Sequence, residues 1–314
     1  MKPRLIILYG NASKDRSSKV QQLVDGKLTC GYRDYAQHYG CIAYLVPVNN
    51  IKKSWEYVFP EGRGIVEFCR NYPDAIVWSV KLGNSLKNSI LDQIKNRKLY
   101  YSCCSRNIVN NCCHISLVDT VDRLPKSSSN VRLWIKGKDP EFWKPVSEQK
   151  IYDYVVVGRP KPSKNQKLFV KQLARECPHT RTVLWIGGGE GRKLIGNHQL
   201  VSTPLLPPNR VRDLMCLARV GVLFTQYEDE GFPQSLLELT MCGVPVIYST
   251  DGPYNSAYFS PHSAIRTTKR NLIKDAENML KLADPVTCRS YAINNYTLLS
   301  SFEMLCKIAE EIKL

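Results

Sequence analysis

The residues best placed to do chemistry lie in the stretch Glu228-Asp229-Glu230-Gly231-Phe232-Pro233, which continues through Gln234 and Ser235 to Leu236-Leu237-Glu238. Glu230 and Glu238 bracket the start of a predicted helix. Pro233 suits its first turn, where a missing N–H costs nothing. The free N–H groups of that turn, together with the helix dipole, favour an anionic group. Glu230, just outside the helix, and Glu238, inside it, can each accept hydrogen bonds from hydroxyls. Carboxylates flanking such a helix end suit a ligand carrying both hydroxyls and phosphates, which describes a sugar nucleotide. Standing alone, this pair reads as a capped surface helix with two solvated glutamates.

It does not stand alone. A predicted strand over 152–157 runs into Gly158-Arg159-Pro160-Lys161, and Lys164 follows five residues after Arg159. A glycine just past a strand's carboxyl end lets backbone approach a ligand, at the edge where open α/β sheets bind them. Arg159 offers a planar fork and Lys164 a mobile point charge, a sensible pair for a diphosphate. Taken singly, either cation reads as a solvated surface side chain.

The elements that must position these residues alternate. Strands are predicted over 4–9, 41–48, 75–80, 98–103, 115–119 and 131–136. A helix is predicted over 84–97, with Leu86, Ile90, Leu91 and Ile94 on one stripe. Residues 137–150, with two prolines and several charges, break the pattern and read as an interdomain linker. Alternation then restarts: strand 152–157, helix 164–177, strand 182–186, helix 210–219, strand 220–225, helix 233–241 and strand 244–249. The tail from 274 is helical. Alternation of this kind means parallel sheet with crossover helices, so an α/β chain of two Rossmann-like doubly wound domains, 1–145 and 146–314, with a crossing of the last helix back to the first domain as the alternative.

Composition sets the outer bounds. The chain has 314 residues, a hydrophobic fraction of 43% and a charged fraction of 23%, which exclude wholesale disorder. No apolar run approaches the ~18 residues of a membrane span. Leu5–Leu8 is too short for a secretory signal and reads as a buried strand. The net charge is +16, with +11 in residues 1–150 and +5 in the remainder. A basic N-terminal half suggests a polyanionic neighbour: nucleic acid, an anionic membrane surface or a phosphorylated substrate. The 12 cysteines are scattered and argue for a reducing, cytoplasmic compartment. The cluster Cys103, Cys104, Cys112, Cys113 and His114 lacks C-x2-C spacing, so it reads as packed small hydrophobes rather than a metal site.

The second half resembles the nucleotide-binding domain of retaining GT-B glycosyltransferases of family 4. Val157-Gly158-Arg159-Pro160 with Lys164 is similar to that family's diphosphate clamp, and Ile186-Gly187-Gly188-Gly189-Glu190 to its glycine turn. Glu230 through Glu238 resembles its paired-glutamate motif. Cys242-Gly243-Val244-Pro245-Val246 and Ser249-Thr250-Asp251-Gly252-Pro253 are similar to the segments that follow it. Lys136-Gly137-Lys138-Asp139-Pro140, continuing to Phe142 and Pro145, is similar to the pattern "nGvDpxxFxP" that closes the acceptor domain. The resemblance covers roughly residues 131–285; residues 1–130 match only in element order. The compact length and cysteine-rich style suggest a member encoded by a large algal virus or an otherwise divergent one.

The resemblance implies two domains facing across a cleft, with transfer of a hexose from a nucleoside diphosphate sugar to a glycan or similar acceptor. Retention, and no required metal or other cofactor, are also implied. Arg159 and Lys164 would hold the donor β-phosphate, Glu238 the ribose hydroxyls, and Glu230 would lie near the sugar's ring hydroxyls. Gly158, Gly187, Gly231, Phe232 and Pro233 would complete the pocket, Leu205 and Leu206 would contact the base, and Gly10 would bring backbone close from the other domain. GDP-mannose is the first donor expected and UDP-glucose the second. The family's N-domain histidine is missing from Tyr101–Asn107, and the first loop has one glycine where relatives often have two. The competing reading is a basic nucleic-acid-binding protein, or a DNA-base glycosyltransferase, on the same scaffold. The sequence lacks a helix-turn-helix, RRM or zinc-finger signature. A peripheral membrane enzyme acting on a lipid-linked sugar is a third reading; no basic amphipathic helix stands out for it.

Overall fold

The computed structural model describes residues 2–10, 31–45, 53–80, 88–101, 111–119, 130–160, 164–224, 232–249 and 260–313. The chain divides into two units, Met1–Lys136 with Leu298–Leu314, and Gly137–Thr297.

The first unit is built on seven strands: β1 (Leu5–Tyr9), β2 (Gly40–Tyr44), β3 (Glu56–Val58), β4 (Ile76–Val80), β5 (Lys98–Tyr101), β6 (Ile115–Val118) and β7 (Val131–Leu133). They pair in parallel in the order β3-β2-β1-β4-β5-β6-β7. Every residue of β1 is buried, the continuous apolar run of a strand covered on both faces. Alternate side chains serve two cores. Leu5, Ile7 and Tyr9 meet α1 (Tyr32–Tyr39) and α9 (Leu298–Glu310), while Ile6 and Leu8 meet α2 (Ile65–Arg70). Helix α9 returns to this sheet after the second unit is complete. Ser301 anchors it, with its carbonyl accepting Trp134 Nε1 at 2.8 Å and its hydroxyl 2.5 Å from Tyr35 Oη. The chain moves outward from β1 to β3 and then crosses to β4 on β1's other side. The carboxyl ends of β1 and β4 therefore form a switch point, where Gly10 lies buried.

The second unit repeats the plan with β8 (Tyr152–Val157), β9 (Thr182–Ile186), β10 (Gly191–Ile195), β11 (His198–Thr203), β12 (Ala218–Leu223), β13 (Val246–Ser249) and β14 (Ala264–Thr267). The order is β10-β11-β9-β8-β12-β13-β14, with only the β10–β11 pair antiparallel. Helices α4 (Gln166–Glu176) and α7 (Leu272–Leu282) cover one face through Phe169, Leu173, Ala276 and Met279. Also in this unit are α5 (Pro208–Cys216), α6 (Gln234–Met241) and α8 (Pro285–Asn295). Among the described residues, no helix is long and apolar enough to cross a membrane.

Three expectations are corrected. The helix expected over 84–97 is described only as α3 (Asn88–Leu91), and 92–97 is not helical. The buried Asn96 amide donates instead to the carbonyls of Tyr72 (2.7 Å) and Ala75 (2.9 Å), and Lys98 Nζ bonds Leu91 O at 2.8 Å. A side chain that bonds backbone elsewhere ends a helix despite its apolar stripe. Residues 137–145, read as the end of the first domain and part of a linker, lie in the second unit. Between 186 and 210, where no element is expected, the hairpin β10–β11 turns at Gly196-Asn197. Gly196 has φ 61, the left-handed first position of a two-residue turn.

His114 Nδ1 accepts the Lys98 amide at 3.0 Å, a structural role, and burial holds its pKa below the usual value. Cys103 and Cys104 lie outside the described residues. Among the described residues Cys112 and Cys113 form no disulfide, nor do the buried Cys41 and Cys69, which burial pushes up to about 12.

Candidate functional site

The second sheet has its own switch point. From β8 the chain passes to β9 and the hairpin, then returns to β12 on β8's other side. Val156 pairs with Val222, so the segments leaving β8 and β12 emerge side by side at the carboxyl edge. That crevice is where ligands of open α/β sheets bind.

The segment after β8 is tied down on three sides. Gly158 N donates to Ile186 O at 2.9 Å, Trp185 Nε1 donates to Gly158 O at 2.9 Å, and Gln166 Nε2 donates to Arg159 O at 3.0 Å. Arg159 is exposed, and among the described residues its guanidinium has no ion pair. Lys164 is half-buried just before α4, its Cδ 3.6 Å from where a Cβ on Gly158 would stand. Residues 161–163 lie outside the described residues.

Gly187 closes the adjoining strand. Its amide and that of Gly189 both donate to Thr203 O, at 3.0 and 3.1 Å. With φ 90, Gly187 occupies the left-handed region. A Cβ there would lie 3.2 Å from Gly158 C, 3.3 Å from Gly158 O and 3.4 Å from Leu205 Cδ2. Gly158, Gly187 and Leu205 are thus brought together. Leu205 is exposed and Leu206 half-buried beside it.

After β12 the paired-glutamate motif begins. Glu230 and Gly231 lie outside the described residues. Phe232 is buried, its ring 6.1 Å from that of Tyr296. Pro233 is the residue capping α6, and the helix itself starts at Gln234, one residue later than expected. Glu238 stands in the second turn of α6, half-buried, on a helix anchored by Leu236, Leu237, Leu239 and Met241. Its Oε1 accepts Lys138 Nζ at 2.5 Å. At the far end of α6, the neighbouring Cys242 lowers the pKa of Cys216, while Cys216 and burial raise that of Cys242.

Gly10 belongs to the first unit. Three contributors went unrecognised in the sequence: Gln166 and Trp185, which hold the Gly158-Arg159 turn, and Lys138. For Lys138 a signal existed, because the family pattern has an apolar residue at that position.

Residues 137–284 match the family model described as "Glycosyl transferases group 1". No curated protein matches the chain in sequence. Among solved structures, the chain is similar to Anabaena HepE in complex with UDP-glucose, at TM-score 0.62 and 12% identity, covering 98% of this chain and 100% of that one. Sucrose-phosphate synthase from Thermosynechococcus elongatus aligns at TM-score 0.66 and 14% identity, over 98% and 99% of the two chains. An alpha-glucosyltransferase in complex with UDP and a 13-mer DNA aligns at TM-score 0.67 and 12% identity, over 99% and 100%. The chain therefore has the two-sheet α/β fold of GT-B glycosyltransferases, and its residues 137–284 match the glycosyl transferases group 1 family.

Proposed function

We propose that the chain transfers a hexose from a nucleoside diphosphate sugar, with retention at the anomeric carbon, to a glycan or similar acceptor. One observation carries the reading: within the segment that matches the glycosyltransferase model, β8, which runs into the cations, and β12, which precedes the paired-glutamate motif, pair in parallel on the two sides of the switch point. In this reading Arg159 and Lys164 hold the donor β-phosphate, and Glu238 receives the ribose hydroxyls. Glu230 lies near the sugar hydroxyls, with Gly231, Phe232 and Pro233 completing the pocket. Gly158 and Gly187 give the diphosphate a close backbone approach, and Leu205 with Leu206 contacts the base. As the nucleoside diphosphate departs, negative charge grows on the β-phosphate beside two preorganised cations and a helix N-terminus, which stabilise it without calling on a metal. The leaving phosphate helps deprotonate the acceptor, so no dedicated protein nucleophile is assigned.

The donors to test first are GDP-mannose, from the sequence resemblance, and UDP-glucose, the ligand named for one structural neighbour. Arg159→Ala combined with Lys164→Ala abolishes transfer and donor hydrolysis if the assignment holds. Full activity in that variant defeats it.

A second reading concerns the acceptor. The first unit carries 23 Lys and Arg against 13 Asp and Glu, and one structural neighbour is a DNA complex. A DNA-base acceptor predicts duplex binding that weakens steeply with salt. Absence of binding at low salt removes it and leaves an anionic glycan or a membrane-bound acceptor.

A further inference from the structure

The segment read from sequence as a linker brings a cation to the carboxylate of α6. Lys138 Nζ stands 2.5 Å from Glu238 Oε1, with the two side chains 6% and 16% exposed. The ammonium also lies 5.6 Å from the centre of the Trp143 ring.

The backbone beneath this pair is fixed at both ends. Lys138 N donates to Tyr296 O at 3.0 Å, and Lys138 forms a parallel bridge with Thr297. Arg289, on α8, donates to the carbonyls of Pro140 at 3.1 Å and Trp143 at 2.9 Å, and also to that of Met241, the last residue of α6. One guanidinium thus ties the 138–143 segment to the helix that carries Glu238. An exposed lysine–glutamate pair holds little, because two long side chains and water compete with it. Here the lysine side chain is buried with its ammonium over Trp143, its root is anchored, and the carboxylate is mostly out of water. Glu238 Oε2 makes no hydrogen bond among the described residues and is not sealed from solvent.

We propose that Lys138 is the positioning residue for ribose recognition. It pins Glu238 in one orientation, occupying one lone pair of Oε1 and leaving Oε2 to the nucleotide. An ionised carboxylate only accepts hydrogen bonds, and a ribose presents two vicinal hydroxyl donors. A carboxylate held in one orientation receives both without first being ordered, and a nucleotide lacking the 2′-hydroxyl forfeits one bond. Lys138 therefore contributes affinity for the ribonucleotide through Glu238 and sharpens discrimination against the 2′-deoxy form. The inference rests on the reading of Glu238 as the ribose-binding carboxylate.

The test titrates UDP, GDP and their 2′-deoxy counterparts into the full chain by calorimetry, for wild type, Lys138→Met, Glu238→Gln and the double variant. Each single variant should weaken ribonucleotide binding about tenfold, the size of one hydrogen bond to a charged group. Binding of the 2′-deoxy nucleotides should change less. Lys138→Met added to Glu238→Gln should cost nothing further, because the lysine acts through the glutamate. Lys138→Arg should recover part of the loss by restoring a cation at Oε1. If Lys138→Met does not fold, Lys138→Leu, which likewise removes the donor at Oε1, takes its place under the same criteria. Wild-type affinity in the lysine variant, with loss in Glu238→Gln, overturns the positioning role alone. Additive losses in the double variant also overturn it, since they assign Lys138 a direct contact. Wild-type affinity in Glu238→Gln overturns the ribose reading itself.

Discussion

Replacing Gly187 by alanine perturbs the candidate site without touching any charge. The added methyl would stand 3.2 Å from Gly158 C and 3.3 Å from Gly158 O, both backbone atoms of a turn held by three hydrogen bonds. Such contacts are relieved only if the turn carrying Arg159 yields by a few tenths of an ångström. The residue would also keep φ 90, which costs a non-glycine side chain roughly 1–2 kcal/mol. For a unit of this size that is a fall in Tm of roughly 2–8 °C. Misplacing a binding group by about 1 Å costs on the order of 100-fold, so a shift of tenths should weaken nucleotide binding about tenfold. The control is Gly196→Ala, at φ 61 in the β10–β11 turn, which lies at the opposite edge of the sheet. It shares the backbone penalty and has no collision with Gly158. Thermal melts and calorimetric titration with GDP and UDP should show both variants losing stability and only Gly187→Ala losing affinity. Equal affinity for the two variants refutes the claim that the Gly158–Gly187 contact shapes the donor site.

Other outcomes follow from the scaffold. Glu277 accepts from Arg181 and, at 2.6 Å, from Tyr154 Oη, and the Arg181 bonds pull its pKa from 4.5 to about 2. A depressed carboxylate stabilises the fold above its unfolded value, so this contribution, about 2 kcal/mol once solvent screening is allowed for, is lost as pH falls from 4.5 towards 2. Urea unfolding of wild type and Glu277→Gln should therefore differ at pH 7 and converge near pH 2; a gap independent of pH contradicts it. Asn96→Ala removes the donor shared by Tyr72 O and Ala75 O and should destabilise the chain by about 2 kcal/mol in the same assay. No change in the unfolding midpoint would show that those carbonyls do not depend on Asn96.

The sequence displays the parts of the fold that rest on short-range pattern. β8 and β9 are dominated by the apolar runs Tyr154–Val157 and Val183–Ile186, and their limits coincide with prediction. The turn after β8 is legible because a glycine followed by cations is a local signal. What escaped is set by contacts distant in sequence. Asn96 ends a helix through carbonyls more than twenty residues away. Residues 137–145 look like a linker until Arg289, nearly 150 residues on, ties them to α6. The Lys138–Glu238 pair spans 100 residues, and no periodicity announces it. The β10–β11 hairpin was missed for a local reason: its edge strand is exposed and charged at Arg192 and Lys193, so it carries no apolar alternation.

In the proposed reading, the switch point of the second sheet binds a nucleoside diphosphate sugar. The most direct test is a thermal-shift panel of GDP, UDP, ADP and their sugar conjugates on the full chain. A nucleotide at 100 times its Kd stabilises by about 2.7 kcal/mol, a shift of several degrees. At least one nucleotide and its sugar conjugate should give such a shift, lost in Arg159→Ala with Lys164→Ala. No shift from any nucleotide contradicts the reading.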